Sequence, residues 1–157
     1  MFILHILWFF LGLLPWGLPL TIPINTTIPH NFTLNLIPMD EMGCWKPPLD
    51  AHDLYMAVQR LKKWGEKSKV GAGNYHGEAY GEAGAWVCNC KHFMMDHLPA
   101  AEIDEAYEMV NRSCRGWGGW VWSGSWQKAW NFGSNEKMHH TLPGSSKCPK
   151  GCLWAVV

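Results

Sequence analysis

All six cysteines of this 157-residue chain lie downstream of an almost uninterrupted apolar leader, residues 1–20. The first charged side chain is Asp40. This arrangement is typical of a secretory signal peptide, and Pro15 and Pro19 disfavour one continuous membrane-spanning helix. We expect the leader to be removed, the mature protein to be secreted to the extracellular space, and no membrane association to remain. An uncleaved anchor is the alternative, because no Lys or Arg precedes the apolar run and no small-residue cleavage motif follows it.

An even number of cysteines in an exported chain predicts three disulfide bonds. Zinc is the weaker alternative, because neither close cysteine pair has the C-x₂-C spacing of a zinc knuckle. Disulfides restrict the unfolded chain and so stabilise a small fold. We therefore expect residues 43–157 to form one disulfide-stabilised domain. The connectivity is left open among Cys44, Cys88, Cys90, Cys114, Cys148 and Cys152.

Three N-x-[ST] sequons, at Asn25, Asn31 and Asn111, are candidate glycosylation sites. Two of them lie in residues 21–42, a segment rich in Pro, Thr and Asn that we expect to be an exposed, glycosylated arm. The chain carries 13 basic and 13 acidic residues and no pronounced basic cluster. We therefore expect no nucleic-acid partner, because phosphate backbones are bound by concentrated positive charge.

Hydrophobic periodicity predicts two helices, one at residues 51–64 and one that starts after Pro99. In residues 82–90, apolar side chains occupy both of the alternating sets of positions, which predicts a strand buried on both faces. Residues 116–135 predict a hairpin that turns near Gly124. Together these elements predict an α+β fold in which two helices pack on one face of a small, mostly antiparallel sheet.

Tryptophan is abundant, with 11 residues in the chain. Trp120, Trp122, Trp126 and Trp130 occupy even positions of the predicted hairpin, and this alternation predicts one shared face. We expect that face to be core under the helices, because four exposed tryptophans would promote aggregation. The alternative is a flat ligand-binding face, for which the candidate binding residues are Trp117, Trp120 and Trp122.

Three segments resemble small, secreted, cysteine-rich proteins of filamentous fungi that are candidate effectors. They are an alanine-aromatic-valine-cysteine strand, an acidic-start helix that ends in cysteine, and a glycine-tryptophan hairpin. Some proteins of this group are similar to fungal killer toxins, which are α/β sandwiches. The resemblance covers about residues 43–135 and implies a secreted, effector-like or toxin-like role without a catalytic site. The matching positions are Ala85, Trp86, Val87, Cys88, Cys114, Gly119, Trp120, Trp126, Lys128 and Trp130.

Candidate chemistry is sparse. His76 and Glu78 lie two residues apart and could serve as an acid–base pair in phosphodiester or glycoside cleavage, although an ordinary polar loop is the favoured explanation. No nucleophile elbow, phosphate loop or zinc-protease motif occurs. We expect solvated loops rather than a metal site, and no cofactor, at the metal-capable groups His92, Asp96 and His97 and at His139 and His140.

The first functional hypothesis is therefore a secreted, disulfide-rich, effector-like or toxin-like protein that acts by binding. We expect a monomer whose partner is an extracellular protein or a cell-wall glycan. The alternatives are a secreted carbohydrate-binding protein that uses exposed tryptophans, and a small secreted hydrolase or nuclease that uses His76 and Glu78.

Overall fold

The computed structural model describes residues 36–139 and Cys148. The chain divides into the units Met1–Phe32 and Thr33–Val157, and the described residues belong to the second. Several predictions lie outside the described residues and stay predictions: the signal peptide at 1–20, the sequons at Asn25 and Asn31, and the disulfide of Cys152. Within the described residues, no helix has the length and apolar character needed to cross a membrane.

The described residues form an α+β fold, as the sequence predicted. Its elements in chain order are β1 (Glu41–Pro48), α1 (Ala51–Gly65), β2 (Lys69–Val70), β3 (Tyr75–Tyr80), β4 (Ala83–Asn89), β5 (Asp96–His97), α2 (Ala100–Cys114), β6 (Trp117–Ser123), β7 (Lys128–Ser134) and α3 (Asn135–His139).

A five-stranded antiparallel sheet has the strand order β1-β6-β7-β4-β3. The short strands β2 and β5 pair separately as a two-stranded antiparallel sheet. Strand β1 was not among the predicted elements, and the predicted arm boundary at residue 42 falls inside it. Ile37, just before β1, is buried in the core cluster beneath the helices.

Helices α1 and α2 pack on one face of the sheet, which confirms the two-helix prediction. The Asp50 side chain caps α1 by accepting a hydrogen bond from the Asp53 backbone N–H at 2.9 Å. Each helix buries one apolar stripe, because residues three and four apart share a helix face. The buried residues are Leu54, Ala57, Val58 and Leu61 of α1 and Ile103, Ala106, Val110 and Cys114 of α2.

Disulfide bonds join the layers. Cys114 of α2 bonds to Cys44 of β1, and Cys88 of β4 bonds to Cys148. Cys90 is also disulfide-bonded, and the described residues contain no free cysteine. The prediction of a disulfide-stabilised fold is therefore confirmed for these five cysteines, and the zinc alternative was wrong for them.

The opposite face of the sheet carries a second apolar cluster. Met138 of α3 packs there against Trp86 and the Cys88 side chain. Gly133 leaves room for a flat ring, since a Cβ atom at this position would lie 2.6 Å from the Trp45 indole. Strand β4 is consequently buried on both faces, as the sequence predicted.

The predicted shared face of the four hairpin tryptophans was wrong. Four residues connect β6 to β7, so an even position on β6 pairs with an odd position on β7, as Trp122 does with Ala129. Cross-strand partners share a face. Trp120 and Trp122 therefore lie on the face opposite the helices, whereas Trp130 is buried beneath the helices and Trp126 lies in the turn.

Candidate functional site

The most exposed large apolar residues of the described chain are consecutive. Phe93 is 95% exposed, Met94 65% and Met95 63%, whereas no other exposed large hydrophobic residue in the described part of the chain exceeds 50%. These residues belong to the connection between β4 and β5, and we call residues 92–95 the apolar loop. Contiguous exposed apolar side chains on a soluble fold mark an interaction site or an aggregation liability.

A groove with a volume of about 350 Å³ runs beside the apolar loop. One wall is the loop itself, and the other is the turn between β6 and β7. This volume is within the range of pockets that hold small ligands or the anchoring side chains of a partner. The lining residues are Lys91, His92, Phe93, Met94, Ser125, Trp126 and Gln127.

Asn89 at the end of β4 anchors the apolar loop through side-chain hydrogen bonds. Its buried Nδ2 lies 2.7 Å from the Met94 carbonyl oxygen and 3.1 Å from the carbonyl oxygens of Val70 and Gly71. Its Oδ1 accepts a hydrogen bond from the Lys91 backbone N–H at 3.1 Å. One side chain thus ties the Met94 carbonyl of the apolar loop to the backbone of Val70, Gly71 and Lys91, and these bonds hold the loop against the neighbouring chain.

A buried group of charges anchors the other end of the loop. Lys128 of β7 is only 2% exposed, and its Nζ donates to Glu102 Oε2 and to the His97 carbonyl oxygen, each at 2.6 Å. The same Nζ lies 3.5 Å from Asp96 Oδ2, and Lys91 Nζ lies 3.0 Å from Asp96 Oδ1. Buried charges persist only when they are paired in this way.

Burial raises the pKa of Glu102 above its ordinary value, and the hydrogen bond and charge of Lys128 oppose that shift. Asp96 Oδ2 contacts Lys128 at ion-pair distance without forming a hydrogen bond to any described residue. With two cations and two anions, the group is formally neutral. The base of the apolar loop is therefore held by paired charges and presents no excess charge.

Sequence reasoning missed the apolar loop. The run Phe93-Met94-Met95 matches neither a helical nor a strand pattern and lies between polar residues. An apolar triplet outside any periodic segment was the available signal, because nothing in the local pattern provides a face to bury it.

The structure does not gather the predicted binding tryptophans into one surface. Trp117 packs against the cluster beneath the helices, with Lys46 Nζ 5.2 Å from its ring centroid. Trp120 and Trp122 are half-buried on the opposite face. A Cβ atom at Gly43 would lie 2.6 Å from Trp120 Nε1, which shows how closely that indole covers the neighbouring strand.

His76 and Glu78 lie on the edge strand β3, so the favoured prediction of a polar loop was wrong, and His76 Nε2 is 2.9 Å from Glu78 Oε1. The His76 ring stacks on Trp64 of α1, with the ring centroids 3.6 Å apart. Both side chains are about 30% exposed. The carboxylate can orient the imidazole, and the ring stacking also packs α1 against β3.

The remaining candidates are dispersed. Asn111 is exposed on α2, and its glycosylation stays a prediction. Asp96 is engaged with lysines, and the described residues contain no group of three or more side chains arranged to hold a metal ion. His140 lies outside the described residues.

No known protein family matches this chain, and no curated protein matches its sequence. Among solved structures, it is similar to the tandem DUF26 ectodomain of the Arabidopsis thaliana cysteine-rich receptor-like protein PDLP8, at 14% sequence identity and a TM-score of 0.41. The similarity covers 61% of this chain and 44% of that one, so the chain spans less than half of the plant ectodomain. A likeness of this size identifies neither a family nor a function.

Proposed function

We propose that this protein is secreted and acts by binding another extracellular protein through the apolar loop and the adjoining groove. Disulfide bonds form and persist mainly in oxidising compartments, which supports secretion, as does the apolar leader. The resemblance to secreted effector-like proteins agrees with a role in binding.

The observation that carries the proposal is the 95% exposure of Phe93 on a loop whose ends are tied down by Asn89 and Lys128. Burial of an exposed Phe or Met side chain by a partner favours binding by about 1.5–3 kcal/mol. Because the backbone of the loop is already held by hydrogen bonds, binding need not order it, and the remaining entropy cost is that of fixing the exposed side chains. Phe93, Met94 and Met95 together supply enough apolar surface for the centre of an interface.

The chemistry of the site favours a protein partner over a glycan or a nucleic acid. Methionine side chains are flexible and polarisable, and they adapt to apolar pockets of different shapes. The lysines at the base of the loop are paired with Asp96 and Glu102, so they offer no concentrated positive charge to phosphates. The matching partner has an apolar pocket that accepts Phe93, and a projecting apolar residue that enters the groove.

Selection of a phage-displayed random peptide library on the immobilised, disulfide-bonded protein tests the proposal. We expect enriched peptides with aromatic or aliphatic anchors. Their affinity for a Phe93→Ser variant should fall about 30-fold, the equivalent of a 2 kcal/mol hot spot. Tyr55→Ser is the matched control, because Tyr55 is an exposed aromatic residue on α1, and its substitution should leave peptide affinity unchanged.

Failure to enrich any peptide would contradict the proposal, and so would three other results. One is equal peptide affinity for the Phe93 and Tyr55 variants. Another is retention on insoluble chitin, cellulose or glucan that is lost in Trp122→Ala and kept in Phe93→Ser, which would favour the carbohydrate-binding alternative. The third is Phe93-dependent cosedimentation with lipid vesicles in the absence of any peptide ligand, which would assign the loop to a membrane surface.

A further inference from the structure

Methionines are unevenly exposed in this fold. Of the seven in the described residues, Met94 and Met95 are the most exposed, at 65% and 63%. Met39 follows at 43%, and Met138 is 1% exposed. The other three are half-buried: Met42, Met56 and Met109. The two most accessible thioethers of the described chain are therefore adjacent, and both lie in the apolar loop.

We propose that Met94 and Met95 form an oxidant-sensitive modification site, and that their oxidation by peroxides weakens binding by the apolar loop at least tenfold. The second part rests on the proposed function. In the reaction, the thioether sulfur donates an electron pair to one oxygen of hydrogen peroxide and the O–O bond breaks. The sulfur becomes a sulfoxide after losing two electrons, and the second peroxide oxygen leaves as water after taking up both protons.

The expected effect is local, because the Met94 and Met95 side chains do not hold the loop in place. The bond from the Asn89 side chain to the Met94 carbonyl oxygen and the bond from Lys128 to the His97 carbonyl oxygen remain after oxidation. Two sulfoxide dipoles would then replace apolar surface at the centre of the binding site. Since sulfoxide formation is reversible by reductases, the site can act as a switch rather than as a point of damage.

Met138 is the opposite case. Its thioether packs in the second apolar cluster beside Trp86, close to Gly84. Oxidant reaches a buried sulfur only when the fold opens. If Met94 and Met95 oxidise faster than Met138, the loop is therefore modified in the folded protein and not through unfolding.

Time-resolved peptide mass mapping of the disulfide-bonded protein in hydrogen peroxide tests the modification site. We expect Met94 and Met95 to oxidise faster than Met39 and more than about tenfold faster than Met138, because susceptibility follows exposure. Oxidation of Met94 and Met95 at or below the rate of Met39 would overturn the assignment.

A Met94→Leu/Met95→Leu variant tests the switch, with a library-selected peptide as the probe. Leucine keeps the surface apolar and cannot form a sulfoxide, so this variant should bind the peptide as the wild type does and keep its affinity after peroxide treatment. The wild type and a Met39→Leu control should each lose at least tenfold in affinity. Unchanged peptide affinity of the oxidised wild type would overturn the switch, and so would an equal loss in the leucine variant.

The two proposals can fail separately. If no peptide binds before oxidation, the proposed function is wrong and the switch falls with it. The mapped oxidation rates still decide whether Met94 and Met95 are the modification site.

Discussion

Replacing Lys128 with Met should destabilise the fold, because it removes the cation at the centre of a buried charge group. The Met side chain approximates the length of Lys without its charge. Lys128 is 2% exposed and lies between Glu102 Oε2 and the His97 carbonyl oxygen. After the substitution, the carboxylates of Glu102 and Asp96 face a site without its main cation.

The magnitude follows from the burial of the partners. Removing one member of a buried ion pair costs about 3–5 kcal/mol in the free energy of unfolding. The carboxyl side chains of Asp96 and Glu102 keep 16% and 17% exposure, which favours the lower end, about 3 kcal/mol. Lys62→Met is the matched control, because its pair with Asp104 is solvent-exposed and should cost at most about 1 kcal/mol.

The cost should depend on pH. Burial already holds the pKa of Glu102 above its ordinary value, and removing Lys128 removes the main opposing interaction. A carboxyl with a raised pKa in the folded state contributes stability below its unfolded pKa and loses that contribution as pH rises through the folded value. The deficit of Lys128→Met should therefore be full near pH 7 and shrink as the pH falls to about 4.

Urea unfolding of the disulfide-bonded protein, followed by tryptophan fluorescence at both pH values, measures this cost. Adding Glu102→Gln to Lys128→Met should recover part of the stability at pH 7, since it removes one uncompensated charge. The reasoning is refuted if Lys128→Met costs no more than Lys62→Met, or if its deficit is the same at both pH values.

Three further variants test other parts of the fold. Cys44→Ala/Cys114→Ala opens a bridge with a sequence separation of 70 residues, and in the chain-entropy account it should lower the free energy of unfolding by about 4 kcal/mol. Urea titration measures the loss, and a loss below about 1 kcal/mol would contradict that account. Gln127 has a φ of 50°, in the left-handed region, so Gln127→Gly should raise stability by about 0.5–1 kcal/mol after the entropy cost of glycine. Arg115→Gly, at the left-handed C-cap of α2, should show a gain of similar size in the same titration, and a loss of stability in both variants would argue against backbone strain at these positions.

Local sequence patterns were sufficient to predict both long helices. The Asp50 cap, the apolar stripe of α1 and the stripe that ends at Cys114 are properties of residues three or four apart. The alternation in β4 likewise predicted a strand buried on both faces. Cys114 belongs to the buried stripe of α2, and this position turns its side chain towards the sheet and its partner Cys44.

Strand β1 and the faces of the hairpin tryptophans were not accessible in this way. The β1 segment contains two consecutive prolines, and it becomes a strand by pairing with β6 at the edge of the sheet, where proline is tolerated. The face on which Trp120 or Trp130 lies depends on whether the connection has an even or odd number of residues. One residue more or less would reverse the orientation of every side chain on one strand relative to the other.

By itself, the sequence determined both long helices, the participation of cysteines in disulfides and the α+β class. Helix and strand patterns repeat over short distances along the chain, and the cysteine count together with the apolar leader predicts disulfides. Only the tertiary structure decided that Lys128 is buried, that Asn89 supports the loop, and that Phe93 remains uncovered. Burial and exposure at these positions depend on which distant segments meet. Asn89 reaches back to Val70, and Lys128 meets Glu102, 26 residues earlier in the chain.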